Sequence, residues 1–88
     1  MENLNFKVFV GVKKENKEQA KQQGIKYDVG LKKWYKVFNY DEFIHNEELK
    51  TNEFKPYSIE LLGNVPNYKK YTYEISNLLK QRNNINII

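Results

Sequence analysis

The chain has 88 residues, a net charge of +4, one histidine and no cysteine. That length supports one domain, which buries only about 60–65% of the surface its unfolded form exposes. The composition excludes disulfides, thiolate zinc sites and histidine clusters as stabilising devices. The apolar weight therefore rests on the aliphatic residues and on seven Tyr, five Phe and one Trp, whose rings bury large areas.

Charge is segregated along the chain. Residues 1–40 carry nine Lys and four acids, residues 41–54 five acids and one Lys, and residues 55–88 five Lys or Arg and two acids. Two basic regions thus flank an acidic one. A basic region attracts phosphate backbones; its simpler reading is a solvated lysine surface. No apolar stretch approaches the about 20 residues of a membrane span. The start of the chain also lacks the basic-then-apolar pattern of a signal peptide. The expectation is a soluble, cytoplasmic protein that needs no metal or other cofactor.

The first element is "FKVFVGV", residues 6–12. Phe6, Val8, Val10 and Val12 share one face, and Lys7, Phe9 and Gly11 the other, the period-two pattern of a strand. Phe9 is out of place beside Lys7; it either covers a second small core or is exposed. In "KKENKEQAKQQG", Asn16 followed by Gln19 fits a capping box, and Gly24 suits the left-handed residue past a helix end. This predicts a two-turn helix over 15–23, with Ala20 its apolar position. It is too polar to stand without packing.

Residues 25–38 read as a β-hairpin. Ile25 and Tyr27 share a face, Asp28 and Gly30 supply a turn, and "KWYKVF" places Trp34 and Lys36 on one side and Tyr35 and Val37 on the other. "NYDEFIHNEELK" reads as a helix capped by Asn39 or Asp41, with acids in its first turn and Tyr40, Phe43 and Ile44 on one side. Residues 56–62 alternate as a strand, with Tyr57, Ile59 and Leu61 in phase. Tyr68, Tyr71, Ile75, Leu78 and Leu79 then trace one face of a helix over 67–82. "INII" at the end reads as a short strand or a frayed tail. The fold class expected is α+β: a small mixed or antiparallel sheet with a β-α-β-β core, about three helices and a single domain. The aliphatics of 55–88 are needed to cover that sheet.

The stretch "ENKEQAKQQGIKYDVGLKKWYKV" resembles a small domain family of unknown function found in plasmid-borne primases and in phage and large-DNA-virus proteins. Ala20, Lys21, Gly24, Asp28, Lys32, Trp34 and Tyr35 match its pattern in order and spacing. Tyr27 stands where that family has a first tryptophan, and "VGV" replaces its "N-V-P". "YDVGLKKW" followed by "NYDEF" is similar to the HARP-type domain of annealing helicases. The likeness spans residues 6–44. It implies a β-α-β-β core and a phage, viral or plasmid setting. For the HARP-type domains it implies binding of forked or single-stranded DNA beside a motor, which this chain lacks.

The leading site candidates are the rings of Tyr27, Trp34 and Tyr35 beside Lys26, Lys32, Lys33 and Lys36, with Lys17 and Lys21 extending a phosphate track. Bases stack on aromatic faces while lysines neutralise phosphates. The alternative for Trp34 is an anchor of the core, with Tyr35 its cross-strand partner. A second reading is a small protein-binding factor, such as a virus-encoded inhibitor of a host defence complex, or a minor structural component. Its surface would use Asp41, Glu42, Glu47, Glu48 and Glu53, or Lys69, Lys70 and Tyr73. Catalysis is not expected: His45 has no nucleophile in a known spacing, and the four glycines are isolated rather than gathered in a phosphate loop.

Overall fold

A computed structural model of the chain describes residues 4–51 and 54–83. Four strands form one antiparallel sheet in the order β2-β3-β1-β4. β1 (Asn5–Val10) is central and pairs with β3 (Lys33–Asn39) and β4 (Pro56–Leu61), while β2 (Lys26–Asp28) lies outside β3. The helices are α1 (Lys17–Gln22), preceded by a 3-10 turn over Lys14–Asn16, α2 (Tyr40–His45) and α3 (Tyr68–Arg82). The expected β-α-β-β core is present, and the sheet is wholly antiparallel. Residues 85–88 and Glu53 lie outside the described residues.

Alternation in β1 decides the layering. Phe6, Val8 and Val10 face inward and are buried, and their partners Phe38, Lys36 and Trp34 on β3 share that face. Leu61 and Ile59 extend it on β4. Onto this surface pack Ala20 of α1, Ile25, Phe43 of α2, and Ile75 and Leu79 of α3, in one cluster. All three helices therefore lie on one side. Phe6 and Phe38 stack at 5.6 Å between ring centroids, and Phe43 meets both edge-on at 5.2 and 5.3 Å. Trp34 belongs to this core, 9% exposed.

Several boundaries differ from the sequence reading, for local reasons. β1 stops at Val10, and Gly11 N–H donates to the Lys55 carbonyl at 3.1 Å. The pairing with β4 also shifts there, leaving Tyr57 as an extra, bulged residue. Asn16 makes no side-chain cap, and the α-helix begins at Lys17 after the 3-10 turn. Gly24 does adopt φ +82°, the left-handed exit expected. α2 ends at His45 rather than running to Lys50. Its cap is Asn39, whose side-chain Oδ1 accepts from Glu42 N–H at 3.1 Å while its Nδ2 donates to Asn5 Oδ1 at 3.1 Å. Tyr68, expected in the core, is 57% exposed at the first position of α3, just after the left-handed Asn67 (φ +57°).

The end of α3 is tied back to α2 by one side chain. Arg82 donates from Nη1 to the carbonyls of Phe43 and Leu49 and from Nη2 to that of Ile44, with its guanidinium carbon 4.4 Å from the Phe43 ring centre. Beside it the buried Thr51 receives α3 through Asn83: Thr51 N–H donates to Asn83 Oδ1 at 3.3 Å, and Asn83 Nδ2 donates to the Leu79 carbonyl at 2.9 Å. Residues 46–51, which carry no helix or strand, are thereby tied to the end of α3.

Two stability outcomes follow. Trp34→Ala empties a core position, and truncating a buried aromatic costs about 3–5 kcal/mol; a thermal melt should show a large loss, and a wild-type melting temperature would place Trp34 outside the core. Arg82→Ala removes a charged donor from carbonyls at the end of α2, an effect of about 1.5–3 kcal/mol. Arg82→Lys should recover only a small part in urea unfolding, because an ammonium lacks the planar fork.

Candidate nucleic-acid interface

The face of the sheet opposite the helices presents the other half of each strand. Asn5, Lys7 and Phe9 of β1 stand beside Asn39, Val37 and Tyr35 of β3. Lys26 of β2 lies next to Tyr35, and Asp28 next to Lys33. On the other flank, Glu60 and Ser58 of β4 adjoin Lys7 and Phe9. Lys26, Lys33, Val37, Ser58 and Glu60 are exposed. Among the described residues the buried positions of all three helices belong to the inner cluster, so this outer face has no helix over it.

Two rings and three lysines make the centre of that face. Phe9 and Tyr35 are directly paired across β1 and β3, their centroids 6.4 Å apart and their planes inclined at 61°. Lys7 Nζ lies 4.7 Å from the centre of the Tyr35 ring, and Lys33 Nζ 5.4 Å from that of Phe9. Both are diagonal cross-strand contacts, which long side chains can span. Phe9 is only 5% exposed yet stands outside the inner cluster. The Tyr35 ring meets it across the strands and the Lys33 ammonium lies over it. The sequence left its role open, and the structure makes it the partner of Tyr35.

The hairpin candidates divide between the two faces. Lys26, Lys33 and Tyr35 are on the outer face. Trp34 and Lys36 are on the inner one, and Tyr27 packs against Trp34 at 5.1 Å with 44% of its surface exposed. Lys32 sits in the turn with φ +55°, where Asp28 Oδ1 accepts from Leu31 N–H at 3.0 Å. Lys17 and Lys21 are exposed on α1, on the helical side of the sheet, with Lys21 3.7 Å from Glu18. The structure therefore does not gather all nine residues on one surface. Lys7 and Phe9, which the sequence reading did not count as site residues, join the outer set. The available signal was an aromatic in phase with a lysine on an otherwise regular strand.

The protein-partner candidates are also on the helical side or beyond it. Asp41 and Glu42 occupy the first turn of α2, where acids suit the helix dipole. Glu47 and Glu48 are exposed after it, with Glu48 N–H donating to Asn46 Oδ1 at 3.1 Å. Lys69, Lys70 and Tyr73 are exposed on α3, Tyr73 to 71%. His45 Nδ1 lies 2.9 Å from the Asp41 carbonyl one turn back. No group of three His, Cys, Asp or Glu side chains among the described residues is placed to hold a metal ion. No helix among them is long and apolar enough to cross a membrane.

Lys36 is the one lysine of the hairpin drawn into the core side. Its ammonium lies 5.4 Å from the Phe38 ring centre, and the loss of solvent on burial lowers its pKa from the ordinary lysine value. A lysine whose folded pKa is depressed binds its proton more tightly in the unfolded chain, so stability rises with pH as the folded form gives the proton up. Lys36→Met should stabilise the domain modestly, by about 1 kcal/mol or less given the partial exposure. That advantage should shrink as pH climbs toward the unfolded lysine value. A melting series from neutral to alkaline pH checks both signs; a variant less stable at every pH would show that the charged head is favourably placed.

The chain matches no protein-family model, and searches of curated proteins and of solved structures find no match to it.

Proposed function

We propose that this chain is a non-catalytic module that binds single-stranded nucleic acid on the outer face of its sheet. The observation that carries the reading is the Phe9–Tyr35 pair set among Lys7, Lys26 and Lys33 on a face that no helix among the described residues covers. Each part has a separate task. The partly exposed Tyr35 ring, with Phe9 packed against it, offers a surface for an unstacked base, worth about 1–3 kcal/mol per base and tolerant of sequence. The lysines follow the phosphates. With three lysines engaged, the logarithm of affinity should fall with that of salt at a slope of about −2 for single strands. Glu60, beside Lys7 on β4, bounds the basic area on that flank and directs a strand toward β3 and β2. The likeness of residues 6–44 to domains of nucleic-acid enzymes points the same way.

The test is fluorescence anisotropy with labelled oligo(dT) and oligo(rU) across a salt series. Binding should be weak, salt-sensitive and similar for both sequences at low salt. Lys7→Glu and Lys33→Glu should weaken it and flatten the slope, whereas Lys69→Glu with Lys70→Glu, on α3, should change it little. Equal loss from the α3 pair would move the site to the helical side. No binding at low salt would leave a protein partner as the remaining reading.

A further inference from the structure

The two lysines at the centre of the outer face rest on rings when carboxylates stand nearby. Lys7 is directly opposite Glu60 on β4, yet its ammonium lies over Tyr35 on the other flanking strand. Lys33 is opposite Asp28, whose carboxylate is engaged by the Leu31 N–H, and its ammonium lies over Phe9. Among the described residues neither lysine has a carboxylate within ion-pair distance. The rings are thus covered by cations that no carboxylate among the described residues neutralises.

We propose that Lys7 and Lys33 gate the rings, so that the face selects ligands carrying phosphate and base on one chain. This rests on the outer face being the nucleic-acid site. A ring face holds one occupant at a time, an ammonium or a base. A surface cation–π contact is weak enough for a charge-assisted bond to phosphate to displace it. A phosphate therefore draws the ammonium aside, and the base linked to it takes the bared ring. A polyanion without rings removes the caps and leaves Tyr35 facing water. A duplex offers phosphates, but its bases stay locked in their own stack. The selected class is the unstacked nucleotide chain, over polyphosphate and over double-stranded nucleic acid.

Proton–carbon spectra of protein carrying labelled lysine read the gate directly. In the free protein the ε-methylene signals of Lys7 and Lys33 should be displaced upfield by the rings beneath them. Oligo(dT) should return them to the ordinary lysine position. Its affinity should exceed that of inorganic polyphosphate of equal charge by about tenfold or more, the worth of one or two stacked bases. Tyr35→Ala, checked for a cooperative melt, should bring the oligonucleotide down toward the polyphosphate value and leave polyphosphate binding unchanged. Lysine signals that are ordinary in the free protein, or that stay upfield in the complex, would overturn the gate. So would equal affinity for the two polyanions, although the nucleic-acid reading would then survive. If oligo(dT) does not bind at all, that reading falls and the gate with it.

Discussion

The contact among Phe6, Phe38 and Phe43 is the joint on which the rest of the structure depends. It fastens the central strand to its neighbour and both to α2, with one stacked and two edge-on ring pairs. Such pairs contribute about 0.5–1.5 kcal/mol each beyond their buried area. Arg82 extends the joint to the third helix by lying over Phe43 and holding the carbonyls at the end of α2. In a chain without disulfides, this aromatic centre does what a covalent staple does in many small domains.

The joint also fixes what faces solvent. A strand slipped by one residue would turn every side chain to the opposite face. With Phe6 opposite Phe38, Phe9 must stand opposite Tyr35, and Lys7 must lie between Glu60 and Val37. The arrangement of the outer face is therefore a consequence of core packing. Lys36 marks the limit of that logic. Register puts it on the inner side, where its partly desolvated ammonium lies over the Phe38 ring.

Much of this was legible in the sequence, because strand period and core face are local properties. The alternation of Phe6, Val8 and Val10, and of Trp34 against Tyr35, located both faces of the sheet without any tertiary information. Helix ends were less legible. Asn39 and Asp41 were equal candidates for the α2 cap until the register placed Asn5 beside Asn39. Lys50 looked like the end of that helix because nothing local announces the stop at Asn46. The hairpin's lysines and rings looked like one site because they adjoin in sequence, whereas strand alternation sends neighbours to opposite faces. Phe9 and Tyr35 are far apart in the chain, and only the pairing of β1 with β3 brings them together. Arg82 was silent for the same reason: its acceptors are backbone carbonyls some 40 positions away.

Placing every described helix on one side of the sheet separates the residues that pack the core from those that face solvent. The positions packed in the core and those on the open face are interleaved residue by residue along β1 and β3, pointing to opposite sides of the sheet. Lys7, Lys33, Tyr35, Val37 and Glu60 could be exchanged as a group while Phe6, Val8, Phe38 and Phe43 keep their packing. The sheet is in that sense a reusable chassis. Its outer surface can drift in sequence, or be redesigned for a chosen ligand, at a rate not set by the demands of the core.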